Sequence, residues 1–450
     1  AAAASPAPAQ GEQPAPGRIT GSSWSPGNVY LLYYAFNQDQ SCFTCGTTAG
    51  FRTYTVSPLS EVWRREHEDA FQHRSVVLVS MLFKTNIFAM VTLSDDDPSN
   101  GGQNKVLLWD ERKRKFVGEL RVRSEVKNVA LRRDIIAIVC EYTTYVYTLE
   151  NLRVLVTLTT KANPRGLCVL SVEKEPWVLC CPGQFTGALR VQIGQDHRAT
   201  HVFKAHQTGL AAVAVNMSGT LVATASEKGT VVKVFQASDG QLLYRLRRGK
   251  QPAVISCLTF RSDDQFLAVA SSSSTVHVFR LDPGAKDVAE PEQEQRDNSS
   301  SPDLRASQSV ESLATQIQKE VSKVARHYVG MMPEYFNDTR SFAHFRIPDV
   351  DANGQPTVDA RSKQARILGP QLAFHESDRL LVLHYSGVLY ECSFKTDHDP
   401  CLGTQDCGFV CAATWFAVRP DFRVQTECAL ATVAGGAAED DEGAEEWQLL

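Results

Sequence analysis

From Val29 to about Phe279 the chain is written in short apolar or β-branched runs separated by turn residues. They include NVYLLYYAF, SVVLVSMLF, NIFAMVTL, KVLLWD, DIIAIVC, TTYVYTL, GLCVLSV, GALRVQI, LAAVAVN, TLVATAS, VVKVF, VISCLTF, FLAVAS and TVHVF. Strands at this spacing, with few helical patterns, predict an all-β fold. Two segments align with each other, NMSGTLVATASEKGTVVKVF and FRSDDQFLAVASSSSTVHVF, with Ser226 matching Ser271 and Thr230 matching Thr275. The offset is about 45 residues, near the 40–45 residue period of a four-stranded propeller blade. A span of about 250 residues then holds roughly six blades, and ARILGPQLAF with RLLVLHYSGVLYECSF supplies a seventh. The blades are degenerate, and only KVLLWD, with Trp109 and Asp110, ends in the Trp-Asp pair.

The pattern breaks in three places. Residues 1–28 are rich in Ala, Pro, Gly and Ser and read as a disordered tail, so the propeller is expected over 29–430. A polar stretch, DPGAKDVAEPEQEQRDNSSSPD, opens a long loop insert at 282–340 in the sixth blade. Within it the period changes. Val310, Leu313, Ile317, Val321, Val324 and Tyr328 recur at three- and four-residue steps, which predicts an amphipathic helix over 307–328. The apolar cluster Val329, Met331, Met332, Tyr335 and Phe336 follows it. Residues 431–450 form an acidic disordered tail that ends in Trp447, Leu449 and Leu450.

With 46 Lys+Arg against 51 Asp+Glu the net charge is −5, which argues against a protein that coats nucleic acid. Hydrophobic residues at 43% and charged residues at 22% are enough for a large core. No apolar run is long enough to cross a bilayer, and the first residues lack the features of a secretion signal. The twelve cysteines are scattered, several within apolar runs, so a reducing cytoplasmic setting is expected.

The richest short segment for chemistry is LRRGK, 246–250, between the two aligned blades. Successive strand side chains point to opposite faces, so Arg247 and Arg248 serve different sides. A guanidinium suits phosphate, and each arginine has a neighbouring Ser/Thr-rich strand: Ser226 to Thr230 on one side, Ser271 to Thr275 on the other. His206 and His277 add donors that strengthen on protonation. Taken alone, a paired arginine on a surface strand is more often solvated or ion-paired. Cys42-Phe43-Thr44-Cys45 has no partner at zinc spacing, and Cys401, Cys407 and Cys411 have only His398 near them, so no metal site is expected. No nucleotide-binding, hydrolase or metalloprotease motif is present; no catalytic residue, cofactor or enzymatic activity is expected.

Several segments in order, FNQDQSCF (36–43), NKVLLWD (104–110), LRRDIIAIV (131–139), NPRGLCVL (163–170), KAH (204–206), TLVATASEKGT (220–230), LRRG (246–249) and TVHVF (275–279), resemble the PROPPIN family of phosphoinositide-binding propellers. The resemblance is strongest to the WIPI-type members of the autophagy machinery. It implies a seven-bladed β-propeller with two headgroup pockets, for phosphatidylinositol 3-phosphate and its 3,5-bisphosphate. Carried over residue by residue, the first pocket takes Arg247, His206, Ser226 and Thr230, and the second Arg248, Ser271 and Thr275. The second departs from the family pattern, since Ser272, Ser273 and Ser274 stand where a turn Asp and Gly are usual. Lys228, Lys250 and His277 are possible helpers.

The resemblance also implies that the sixth-blade insert enters a bilayer, through the apolar face of 307–328; packing of that face on protein is the other reading. Its Leu-Arg-Arg-Gly form is similar to the subgroup that partners the autophagic lipid-transfer protein, whose docking surface is expected near FNQDQSCF and NKVLLWD. The tail Glu445-Glu446-Trp447-Gln448-Leu449-Leu450 resembles an LC3-interacting motif, with Trp447 and Leu450 as anchors. The combined expectation is a cytoplasmic protein recruited peripherally to preautophagosomal, endosomal or vacuolar/lysosomal membranes. The alternative is a WD-repeat protein-interaction scaffold without lipid binding.

Overall fold

A computed structural model describes residues 29–72, 74–94, 103–173, 175–195, 200–282, 338–348, 369–398 and 404–414. The apolar runs form strands, and these make seven sheets, spanning 31–66, 74–121, 126–159, 169–204, 210–247, 255–346 and 371–414 in chain order. Six sheets have four strands; the sixth gains a fifth, Gln405–Asp406, which runs parallel to its outer strand Ala343–Arg346. The first strand of each sheet packs on the first strand of the next, and the seventh returns to the first. This closed circle is the seven-bladed propeller expected from the strand spacing.

The pattern within a run reflects its place in a blade. Second strands lie between two neighbouring blades and are covered on both faces, so Ile135–Cys140 is apolar and buried throughout. An outermost strand has one face in water, and Val154–Thr159 alternates between buried and exposed positions. Ring closure uses apolar packing: Ala373, Leu381 and Leu383 of the seventh blade share a cluster with Leu31, Tyr34 and Phe43 of the first. The Tyr34 hydroxyl also donates to the Gly369 carbonyl at 3.1 Å.

FNQDQSCF forms the first hairpin of the first blade, and its glutamines reach across the ring. Gln38 donates to the Leu131 carbonyl (3.1 Å) and accepts from the Phe83 amide (2.7 Å). Gln40 donates to Thr259 Oγ1 (2.9 Å) and accepts from the Phe374 amide (2.7 Å). Two side chains therefore tie the first blade to the second, third, sixth and seventh. Within this turn Asp39 is exposed, and Phe36, Gln38, Gln40 and Ser41 are half-buried.

Strand register refines the internal repeat. Thr224 lies opposite Lys233 in the fifth blade and Val269 opposite His277 in the sixth. The offset is 269 − 224 = 45 before the turn and 277 − 233 = 44 after it. The turn of the sixth blade is one residue shorter, so Thr275 occupies the place of Val231, not of Thr230. The insert joins Thr275–Arg280 to Ala343–Arg346. Its predicted helix, with Val310, Leu313, Ile317, Val321, Val324 and Tyr328, lies outside the described residues, as do both tails with Trp447 and Leu450.

Candidate functional site

The fifth blade carries apolar residues on one face and a polar patch toward one end of the other. Val222 and Phe235 pack on Leu189 and Val191 of the fourth blade. Toward the turn at 227–230, alternation keeps Thr224, Ser226 and Lys233 on that same face, with Arg245 and Arg247 beside them on the outer strand. Thr224, Lys233 and Arg245 form a row across three strands, and Val231 pairs with Arg247 one step further.

His206 comes from the link between blades four and five and is buried. Its Nε2 lies 3.2 Å from the Thr224 carbonyl and 3.0 Å from Thr224 Oγ1; because a carbonyl only accepts, Nε2 carries the proton. Burial, with Lys233 and Arg245 nearby, pushes its pKa down to about 4, so it is neutral at pH 7. Lys233 Nζ donates to the Ala205 carbonyl at 3.0 Å.

Asp338, the first residue described after Asp282, enters this cleft with its side chain wholly buried. Its carboxylate meets Arg245 Nε at 2.9 Å and Arg247 Nη2 at 2.7 Å. Next to it Thr339 lies alongside the outer strand, donating to the Arg245 carbonyl and accepting from the Arg247 amide, each at 2.8 Å. With His206 neutral, Lys233, Arg245 and Arg247 against Asp338 leave the cleft at 3 − 1 = +2.

The other face of the fifth blade opens on a second cleft. Val232, Val234 and Leu246 pack there on Leu267, Val269 and Phe279 of the sixth blade. The sixth-blade wall continues with Ser271, Thr275 and His277, and its outer strand adds His344 opposite His277 and Arg346 opposite Thr275. Arg248 is buried at the edge of this cleft, its Nε donating to the Gly229 carbonyl at 2.9 Å and an Nη to the Gln251 carbonyl. Burial holds its pKa below the ordinary arginine value. His277 is pushed down to about 4 by burial, with Arg248 and His344 nearby, and its buried Nδ1 has no hydrogen-bond partner among the described residues. Ser271 Oγ shares a hydrogen bond with Ser273 Oγ at 2.7 Å, and Ser272 Oγ accepts from the Val254 amide at 3.1 Å. Ser273 thus bonds back to Ser271, and Ser272 ties the turn to Val254.

Arg247 and Arg248 occupy opposite clefts, as strand alternation requires. A profile described as PROPPIN matches residues 30–301, more than half of the chain. The chain belongs to the PROPPIN family. Autophagy-related protein 18e of Arabidopsis thaliana is 37% identical over 260 residues, 57% of this chain and 67% of that protein. Autophagy-related protein 18 of Dictyostelium discoideum is 27% identical over 344 residues, 76% of this chain and 87% of that one. Among solved structures, Kluyveromyces lactis Hsv2 superposes with a TM-score of 0.61 at 20% identity, covering 86% of this chain and 99% of its own. A complex of KlAtg21 with the coiled coil of AgAtg16 has the same fold at TM-score 0.61 and 20% identity, covering 86% of this chain and 100% of that one.

In this PROPPIN the residues singled out from sequence divide between the clefts with one nuance. His206, Ser226 and Arg247 share the first; Ser271 and Thr275 line the second, with Arg248 at its edge. Thr230, grouped with Arg247 from sequence, joins them through its main chain, its carbonyl accepting from the Arg248 amide at 3.0 Å. Sequence reading missed Thr224, Lys233 and Arg245, although each lies two residues from Ser226, Val231 or Arg247 on the same strand face. Among the described residues no three His, Cys, Asp or Glu side chains gather as metal ligands, and no helix is long and apolar enough to cross a membrane.

Proposed function

We propose that this PROPPIN is a membrane effector of autophagy that recognises phosphatidylinositol 3-phosphate and 3,5-bisphosphate. The reading is carried by one observation: consecutive arginines stand in two clefts flanking one blade, each cleft supplied with hydroxyls and a neutral histidine, buried in the first and half-buried in the second. Guanidinium and hydroxyl donors match the oxygen fan of a phosphomonoester. A histidine held neutral can take up a proton when a dianion arrives, adding a charge only in the bound state. Two clefts on one rigid body make the second engagement intramolecular, so two weak sites give firm attachment.

The amphipathic stretch 307–328 would supply an interfacial anchor. The relatives' naming as autophagy proteins supports recruitment of autophagy factors; by the sequence resemblance these would include the autophagic lipid-transfer protein, and the Trp447–Leu450 motif would take an LC3-type partner. The site of action on this reading is the cytoplasmic surface of preautophagosomal, endosomal or vacuolar/lysosomal membranes.

The test is co-sedimentation with vesicles containing phosphatidylinositol, its 3-phosphate, 4-phosphate or 3,5-bisphosphate. Wild type should pellet with the 3-phosphorylated lipids, Arg247→Ala and Arg248→Ala should each pellet weakly, and the double variant should stay in solution. Pelleting by the double variant equal to wild type would leave the protein-interaction scaffold as the better reading.

A further inference from the structure

The two clefts are copies of one design, and superposing them by register exposes a residue that sequence alignment hides. In the fifth blade the outer strand ends Leu246-Arg247-Arg248-Gly249, with Arg247 opposite Val231 and the Arg248 amide donating to the Thr230 carbonyl at 3.0 Å. In the sixth, the outer strand ends Phe345-Arg346-Ile347-Pro348, with Arg346 opposite Thr275 and the Ile347 amide donating to the Ser274 carbonyl at 2.7 Å. Since Thr275 takes the place of Val231 and Ser274 that of Thr230, Arg346 takes the place of Arg247. Phe-Arg-Ile-Pro is the sixth blade's counterpart of Leu-Arg-Arg-Gly.

The facing of the side chain follows from its neighbours. Ala343 and Phe345 are buried with Val276 and Val278 in the cluster shared with the seventh blade. The alternate residues, His344 and Arg346, therefore share the face of Thr275 and His277, which looks on the fifth blade. Arg346 is also exposed, so a ligand entering from solvent can reach it.

We infer that Arg346 is a binding residue of the second cleft, contributing to a phosphorylated inositol headgroup there the guanidinium that Arg247 contributes in the first. This inference rests on the lipid reading above. It makes the second cleft a two-arginine site, with Arg248 on the fifth-blade wall and Arg346 on the sixth-blade wall beside Ser271, Thr275 and His277.

The experiment uses the full chain and vesicles carrying phosphatidylinositol 3-phosphate. Arg346→Ala should weaken binding roughly tenfold, the usual scale for losing a charged hydrogen bond. In an Arg248→Ala background, where the cleft is already disabled, the same change should cost less than about twofold, because residues of one site are not additive. In an Arg247→Ala background it should abolish pelleting. Arg121→Ala, an exposed arginine on the second blade, controls for loss of surface charge. Equal losses for Arg346→Ala in wild-type and Arg248→Ala backgrounds, or a loss no greater than that of Arg121→Ala, would overturn the inference.

A second readout separates it from the lipid reading. Thermal stabilisation by soluble inositol 1,3-bisphosphate, measured in Arg247→Ala, should vanish when Arg346→Ala is added. If wild type ignores the vesicles, that loss still supports Arg346, whereas a shift unaffected by Arg346→Ala refutes it. An equal shift with inorganic phosphate would overturn assignment to a headgroup.

Discussion

Asp338 gives the first cleft an internal anion, and replacing it by asparagine tests what that anion does. The substitution keeps an oxygen for Arg245 Nε, now 2.9 Å from the carboxylate, but takes the cleft from +2 to +3. A phosphate bound to Arg247 sits on the order of 6–7 Å from that carboxylate, where a unit pair interacts by about 1–2 kcal/mol at an effective dielectric between 30 and 50. Relief of that repulsion should tighten headgroup binding by roughly 5- to 30-fold, since 1.4 kcal/mol is a factor of ten. Stability moves the other way. Two guanidiniums lose a buried counter-charge, but they are themselves 21% and 23% exposed, so water takes over part of the role and the cost is about 1–3 kcal/mol. The assay is titration of full-length Asp338→Asn with soluble inositol 1,3-bisphosphate in an Arg248→Ala background, beside a denaturant melt. Weaker binding by a folded variant would refute the reasoning: Asp338 would then aim Arg247 at the ligand, not compete with it.

The remaining predictions concern the frame around the clefts. His206, His277 and His384 are each pushed down to about 4 chiefly by burial, against about 6.5 unfolded, so the unfolded chain binds more protons between those values. Stability should fall as pH drops from 6.5 toward 4, and His384→Gln should make the decline shallower; denaturant melts at pH 7.5, 6 and 5 check this, and a flat profile contradicts it. Gln40→Ala removes two hydrogen bonds and leaves the Phe374 amide unpaired, which should cost about 2–3 kcal/mol in denaturant melts without changing lipid binding. A cost below about 0.5 kcal/mol would mean that the hairpin is not a structural tie. Gly229 has φ +60°, and a Cβ there would lie 1.8 Å from the Ala253 carbonyl oxygen, so Gly229→Ala must shift the turn whose carbonyl holds Arg248. Its lipid binding should drop to that of Arg248→Ala, and binding at the wild-type level would rule out this role for the turn.

Much of the architecture was legible because a second strand squeezed between blades has to be apolar throughout, as DIIAIVC is. The opposite facing of Arg247 and Arg248 followed from strand geometry alone. What stayed hidden depends on register and on distant pairing. A turn shorter by one residue leaves an ungapped alignment looking sound, since Thr230 and Thr275 still match by letter, while every later position slips. That slip, together with an insert of more than fifty residues, separates Arg346 from its counterpart Arg247. Asp338 lies 93 residues from Arg245, and nothing local in Asn337-Asp338-Thr339 marks it as the carboxylate of the fifth blade. Gln38 and Gln40 likewise read as turn residues until the ring closes around them.

The electrostatics of the two clefts bear on how the proposed recognition would work. A chain of net charge −5 has no general attraction to an anionic bilayer, and each cleft is held below its full cationic strength. In the first, Asp338 offsets one of three fixed positive charges. In the second, His277 is kept neutral by burial and by Arg248 and His344. On the proposed reading a single anion in solution would engage one such cleft, whereas a membrane presenting two headgroups would draw on both clefts and on their proton uptake at once. Asp338 also stands where the chain returns from the insert, so the insert and the first cleft share one carboxylate.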